Sequence, residues 1–332
     1  MTSAYPYFGP GEPLDLLRPS ALYPRAVFRV SAEFFLRCIA SMTRLEGNDL
    51  VTALIYNAIW AANVRRITLA ENGLEYRGLH QPPPDEVLEP VNALSLSQSL
   101  HIPYETVRRC VTRLERQGRC VRVGRAGWSI PAETYGRPRT IDEIRNFTPS
   151  LLRFLDDLKR SRFDFAPYRK AHAWTVPLAG AREVPANIRA LLRVSLKLVM
   201  RGVGIFGRLQ DYEFTRGIVF ATIAALNTRR ITNGPDNLVY GAMDRPPPDH
   251  LRAPVQVALL ARTLGATYET VRRSVAKLVA DGHVVRVGGR GLIVPSVRFS
   301  SPDGVAMIDL CNRYVDGFIA DLHAAGFDFS AY

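Results

Sequence analysis

Lysine is nearly missing from this 332-residue chain: four Lys stand against 39 Arg. Cysteine is as sparse. Cys38, Cys110, Cys120 and Cys311 show no Cys-x-x-Cys spacing, and the six His lie scattered with none at a zinc-ligand interval. That excludes a disulfide scaffold and a zinc module, and leaves the four as buried or incidental free thiols. Long apolar runs are also missing. The best candidate, Leu50 to Val64, is interrupted by Thr52, Asn57 and Asn63, short of the run of about 18 apolar residues that marks a membrane helix. The opening MTSAYPYFGPGEP has neither a basic start nor an apolar stretch, so no secretory signal is expected and a cytoplasmic location follows. Nor is there a nucleotide-binding glycine loop, a metal-ligand cluster or a nucleophile–base spacing; neither enzymatic activity nor a cofactor is expected.

What is present is ordinary globular composition, 47% hydrophobic and 22% charged, which excludes bulk disorder. At about 100–200 residues per domain the length corresponds to two domains. The formal charge of +12 suits a polyanionic partner. An arginine excess also arises from a GC-rich genome, so the position of the charge has to carry that inference rather than its total.

The chain contains itself twice. Tyr104-Glu-Thr-Val-Arg-Arg109 recurs as Tyr268-Glu-Thr-Val-Arg-Arg273, a shift of 164 residues. The same shift maps Pro82-Pro-Pro-Asp85 onto Pro246-Pro-Pro-Asp249, Val121-Arg-Val-Gly124 onto Val285-Arg-Val-Gly288, and Phe163-Asp-Phe165 onto Phe327-Asp-Phe329. Between residues 65 and 131, 29 of 67 positions equal their partners. Such self-similarity reads as tandem duplication, and two copies are too few for a solenoid. The organisation expected is a tail over 1–20, a first copy over 21–168, an Ala-, Pro- and Gly-rich linker over 169–185 and a second copy over 186–332.

Helical periodicity runs from about Val27 to Leu45 and from Leu50 to Arg66, with the break at Gly47-Asn48. Ile67 to Glu89, holding Asn72-Gly73 and three prolines, reads as a long irregular connection. A short helix is expected over about Asn92 to Leu100, a turn at His101-Ile-Pro103, and a helix from Tyr104 to Gln117 with Gly118 just past its end. Two short strands, about Arg119 to Val123 and Gly127 to Ile130, flank a glycine turn. The unit closes with a helix from about Ile141 to Arg160, capped by Thr140; in the second copy Ser301 is the cap and Gly326 the stop.

Short helix, three-residue turn, second helix and hairpin is the order of a winged helix-turn-helix. Leu260 to Arg273, followed by Leu278, Gly282 and Arg290-Gly-Leu-Ile-Val294, resembles bacterial winged-helix regulators of the Crp/Fnr and GntR types. These place a small residue, a turn glycine and a core valine at matching intervals, here Ala261, Gly265 and Val271. The first copy departs, with Ser97 and His101 at the first two places, so a distorted turn is expected there. The fold class implied is mainly α with small β-hairpins: two tandem winged helix-turn-helix domains, each with extra N- and C-terminal helices.

At 100° per residue, Val107, Val111 and Leu114 share the inner face of the second motif helix. Outward lie Glu105, Arg109, Thr112 and Arg116, flanked by Thr106, Arg108 and Arg113, with Tyr104 at the start. The second copy buries Val271, Val275 and Leu278 and turns outward Glu269, Arg273 and Ala276, flanked by Thr270, Arg272 and Lys277, with Tyr268 at the start. Guanidinium forks suit guanine O6 and N7, and N-terminal residues of such a helix reach the bases, which favours Thr106, Arg109, Thr270 and Arg273 as readers. The alternative is a solvated face whose arginines pair with Glu105 and Glu115. Residues 104–125 and 268–290 together carry +8 of the +12, which favours double-stranded DNA. Arg122 and Arg125, with Arg286 and Arg290, sit in or beside the hairpin turns, where such residues track phosphate or enter the minor groove.

In the last helix of each copy, Ile144, Phe147, Leu151, Phe154 and Leu158, and Ile308, Cys311, Val315, Phe318 and Leu322, form a packing seam, either onto the unit's own first helices or onto the other copy. A pseudo-dimer within one chain would read two half-sites as a monomer; a homodimer is the alternative. The resulting expectation is a cytoplasmic, nucleoid-associated transcription regulator with RNA polymerase or another regulator as further partner. A replication initiator and a winged-helix protein-interaction scaffold are the competing readings.

Overall fold

The repeat in the sequence returns as a repeat of helices in the computed structural model, which describes residues 22–47, 49–69, 75–177, 184–208, 214–289 and 291–332. The fold is mainly helical, with two small antiparallel hairpins. The first repeat runs α1 (Pro24–Leu45), α2 (Leu50–Asn63), α3 (Arg65–Leu69), α4 (Ala93–Leu100), α5 (Tyr104–Arg116), β1 (Val121–Val123), β2 (Gly127–Ser129), α6 (Ala132–Gly136) and α7 (Pro138–Arg160). The second gives α8 (Ile188–Arg208), α9 (Phe214–Thr232), α10 (Val257–Leu264), α11 (Tyr268–Ala280), β3 (Val285–Val287), β4 (Gly291–Ile293), α12 (Val297–Ser300) and α13 (Pro302–Ala324). The expected tail over 1–20, residues 178–183 of the linker, Asn48, Asn72-Gly73 and Arg290 lie outside the described residues.

Three expectations need correction. The helix expected from Leu50 to Arg66 breaks at Val64 in the first repeat, whereas its counterpart α9 runs through. Thr140 is not a cap: α7 begins two residues earlier, at Pro138, and the Thr140 hydroxyl donates to the Thr134 carbonyl at 2.8 Å. Proline at the first helical position supplies the start instead, because its missing N–H would have had no partner. The short helices α6 and α12 were not expected. They are explained by the Pro-Pro-Pro-Asp repeat, whose Asp85 and Asp249 carboxylates accept from Ala132 N (2.8 Å) and Ser296 N (2.6 Å). Ser301 caps α13 by accepting from Gly304 N, and Gly118 and Gly326 follow their helices with positive φ, as expected.

The seam in α7 and α13 packs both ways. α1 lies on α2 and α7 of its own repeat and on α9 and α13 of the other, and α8 does the reverse, so one hydrophobic core runs through both copies. Phe154 stacks on Phe34 of its own repeat at 4.3 Å between ring centroids, and lies 5.9 Å from Phe318, its own counterpart 164 residues on. Offset and tilted aromatic contacts at these distances are the favourable ones. The expected free thiols are there: Cys38, Cys110 and Cys120 are buried, Cys311 is half-buried and none is paired. Burial pushes the Cys38, Cys120 and Cys311 thiols up to about 12. Among the described residues no helix is long and apolar enough to cross a membrane.

Reciprocal hydrogen bonds tie the copies together. Arg25 N donates to Gly241 O (2.8 Å), and Arg189 N, its counterpart, to Arg77 O (2.9 Å). Arg25 Nε donates to Met243 O and Arg189 Nε to Leu79 O, at 2.7 and 2.9 Å. Arg29 Nη1 donates to Tyr240 O and Arg193 Nη1 to Tyr76 O, at 2.7 and 2.8 Å. In every pair both partners shift by 164, the signature of a two-fold, self-complementary contact contained in a single chain. The long connections after α3 and α9 thus have a structural role, since each presents carbonyls to the first helix of the opposite repeat. All four arginines are buried, and desolvation pulls Arg29 down to about 9 and Arg193 to about 10.

A candidate nucleic-acid interface

In each repeat a short helix, a tight turn, a second helix and a hairpin sit on the buried face of the second long helix. Asn92 caps α4 by accepting from Ser95 N at 2.9 Å. The turn expected to be distorted in the first repeat is not: His101 adopts φ 52°, ψ 40°, beside φ 64°, ψ 26° at Gly265. A side chain in this left-handed region is strained by about 1–2 kcal/mol, and local bonds hold it there. Ile102 N donates to Ser97 O at 3.2 Å, and the Ser97 hydroxyl donates back to Ile102 O at 2.7 Å. The serine that departs from the small-residue pattern therefore fastens the turn.

The hairpins are positioned by one buried asparagine per repeat. Asn63 Nδ2 donates to Glu89 O at 2.7 Å, and its Oδ1 accepts from Ile130 N at 2.9 Å. Asn227 repeats this with Ala253 O (2.8 Å), Leu292 O (3.0 Å) and Val294 N (2.9 Å). Removing the Asn227 amide leaves Val294 N and Ala253 O without that partner, while Leu292 O keeps its bond from Val255 N, so Asn227→Ala is expected to cost on the order of 2 kcal/mol, measured as a lowered urea midpoint. Backbone bonds add a third edge, Val91 with Trp128 and Val255 with Leu292. This leaves no room beside Gly127: with φ 128°, a Cβ there would lie 2.2 Å from Val91 O. Gly127→Ala is expected to dislodge the first hairpin at a cost of about 2–4 kcal/mol, seen as a drop in Tm that Gly124→Ala, beside open space, does not match.

The helix faces fall as the periodicity requires. α5 buries Val107, Cys110, Val111 and Leu114, and α11 buries Val271, Ser274, Val275 and Leu278. Tyr104, Glu105, Arg108, Arg109, Arg113 and Arg116 are exposed, Thr106 and Thr112 half-exposed. Tyr268, Glu269, Thr270, Arg272, Arg273 and Lys277 are exposed, as are Arg122, Arg125 and Arg286 on the hairpins.

Their engagements differ. Arg109, Arg116, Arg125 and Arg286 have no ion pair among the described residues. Arg108 pairs with Glu105 at 3.0 Å, while Arg272 and Arg273 both pair with Glu269, at 2.7 and 2.8 Å. The hydrogen bonds from Arg272 and Arg273 hold the Glu269 carboxyl at about 2. These pairs are solvent-exposed and screened by salt, so a polyanion can displace the glutamate. Glu115 is not an arginine partner; it accepts from Trp128 Nε1 at 3.1 Å, beneath the Arg122 guanidinium, which lies 5.6 Å from the indole centroid.

Two arginines counted in the basic stretch hold the fold instead. Arg113 reaches Asp49, the cap of α2, at 2.7 Å, and also the Thr52 hydroxyl. Burial alone would raise the Asp49 carboxyl, but bonds from Thr52 and Arg113 hold it below its ordinary range. Arg119 forks onto Glu46 and lies 4.1 Å over the Tyr56 ring. The outward positive excess is therefore smaller than the count over residues 104–125, because Glu46 and Asp49 come from outside that stretch. Periodicity also missed Val121, Val123 and Val285, exposed apolar side chains beside Arg122 and Arg286. Their signal is the repeated Val-Arg-Val-Gly, which in a hairpin of three-residue strands has no second sheet to cover it.

Compared with known proteins, the chain matches no family model, no curated protein and no solved structure.

Proposed function

We propose that this chain is a sequence-specific double-stranded DNA-binding transcription regulator, in which the two repeats are winged helix-turn-helix units acting as a pseudo-dimer. The observation that carries the reading is the doubled Tyr-Glu-Thr-Val-Arg-Arg face. Both copies turn Glu, Thr and two Arg outward on a helix whose inner face is fully packed. Arg109 and Arg273 are the base readers, Thr106 and Thr270 assist at the helix starts, and Arg116, Lys277 and the hairpin arginines serve phosphate. Arg108 and Arg272 exchange their glutamate for phosphate on binding, whereas Arg113 positions α5 against α2. The reciprocal arginine contacts set one reading helix relative to the other, which a dimer would otherwise do between chains.

Genome-wide mapping of bound sites tests the reading. An inverted or pseudo-inverted motif with two half-sites is expected, and its location upstream of genes gives the regulatory role. Arg109→Ala with Arg273→Ala separates this from a protein-interaction scaffold, which would keep its DNA affinity unchanged.

A further inference from the structure

Beyond the shared Tyr-Glu-Thr-Val-Arg-Arg, the two reading faces are not copies of one another. Along α5 the outward stripe continues from Arg109 through Thr112, half-exposed, to Arg116, exposed. At 1.5 Å per residue, Arg109 to Arg116 spans about 10 Å, the length of about three base pairs. On α11 the same stripe continues through Ala276 and Ala280, both exposed. A hydroxyl and a guanidinium are thus replaced by two methyl groups, which can touch a thymine methyl but neither donate nor accept a hydrogen bond.

The shared residues differ in readiness as well. Arg109 has no ion pair among the described residues, and Glu105 engages Arg108 alone, at 3.0 Å. Glu269 takes both arginines of its repeat, at 2.7 and 2.8 Å, so Arg273 gives up a bond before it meets a base. Beside the helix, Arg122 lies 5.6 Å from the Trp128 ring centroid, and Glu115 fixes that indole through Nε1 at 3.1 Å. A guanidinium over an indole is held in place before phosphate arrives. The counterparts of Trp128 and Glu115 are Leu292, fully buried, and Val279, so Arg286 has leucine where Arg122 has indole. Lys277 stands where α5 has the anchored Arg113 and returns a cation to the second face. An ammonium serves phosphate without the fork that matches a guanine edge, so it adds affinity rather than discrimination. The turn arginines Arg125 and Arg290 stand one place apart in register and leave the two hairpins equal in charge there.

Resting on the DNA-binding reading above, we infer that the target is an asymmetric duplex. The half-site under α5 is defined in sequence by Arg109 and Thr112, with Arg116 clamping the adjacent phosphate. The half-site under α11 is relaxed in sequence and held mainly through phosphate. The reciprocal contacts that join the repeats then fix one orientation of the chain on its target, a polarity that a symmetric homodimer lacks.

Selection from a pool of random duplexes by the full-length chain reads this directly. Two halves one helical turn, or a multiple of it, apart are expected, one with strong base preferences and the other with weak ones. Arg109→Ala is expected to lose the defined half, and Arg273→Ala to keep it. Ala276→Thr combined with Ala280→Arg, exposed changes that copy α5 onto α11, is expected to sharpen the relaxed half. The same variant should bind an inverted repeat of the defined half about tenfold more tightly than the wild type does. Two equally defined halves in the wild-type selection would overturn the inference, as would loss of the defined half in Arg273→Ala. A relaxed half left unchanged in the folded double variant would do the same. Selection of no motif at all would overturn the DNA-binding reading together with the asymmetry, whereas a symmetric motif overturns the asymmetry and leaves that reading standing.

Discussion

Replacing Arg109 and Arg273 together by alanine is expected to weaken binding to the best natural duplex by about 10²- to 10⁴-fold. A bidentate arginine–guanine contact contributes about 1–3 kcal/mol of discrimination, and every 1.4 kcal/mol is tenfold. Both side chains are exposed and neither supports the core, so the melting temperature should not move. The two single variants should differ. Arg109 has no ion pair among the described residues, whereas Arg273 must first leave Glu269. Arg109→Ala is therefore expected to cost more, and Glu269→Gln to strengthen binding by freeing Arg272 and Arg273. Fluorescence anisotropy with specific and scrambled duplexes checks all of these. A loss equal on both duplexes would assign the two arginines to phosphate rather than to bases.

The largest stability effect is expected at the contact between copies. Arg29 donates to Tyr240 O and, through Nη2, to both the carbonyl and the side-chain oxygen of Asn237 at 2.8 Å. Arg29→Ala strands these acceptors in a buried interface and leaves a cavity where the guanidinium lay, costing about 3–5 kcal/mol. Arg193→Ala is the counterpart on the opposite side and is expected to cost a similar amount. Since domains of this kind are stable by about 5–15 kcal/mol in total, the double variant should be largely unfolded at physiological temperature. Arg29→Lys keeps the charge but loses the fork, so less than half of the loss should be recovered. Equilibrium urea unfolding measures each cost. A double variant with wild-type stability would mean that the reciprocal bonds are incidental.

The local structure was legible because local rules produce it. The cap at Ser301, the stops at Gly118 and Gly326, and the inner faces of α5 and α11 all follow from residue types at fixed spacing, whereas Asn92, expected as the first residue of its helix, is the cap of α4. The repeat identified equivalent positions before any contact was known. What stayed hidden depends on partners far away in the chain. Arg25, Arg29, Arg189 and Arg193 look like the polar edge of an amphipathic helix, and only the fold shows that carbonyls of the opposite repeat replace water around them. Helical periodicity says that Phe154 points inward, but not that it meets both Phe34 and Phe318. His101 illustrates the reverse error. The left-handed turn was expected to suffer without glycine, yet the Ser97 hydroxyl, counted as a second departure, fastens it. The charge count was right about where the arginines lie and too large as a measure of free charge, because Arg113 and Arg119 serve acidic groups on neighbouring elements. The DNA-contact reading itself rests on exposed chemistry and duplication.

The measurement that bears most directly on a pseudo-dimeric DNA reader is the stoichiometry of the complex, by analytical ultracentrifugation of the chain with a duplex carrying the mapped motif, alongside a footprint of the same mixture. One chain per duplex is expected, protecting two half-sites one helical turn, about 10–10.5 bp, or a multiple of it apart. Two chains on the same duplex, or one chain protecting a single half-site, would contradict it.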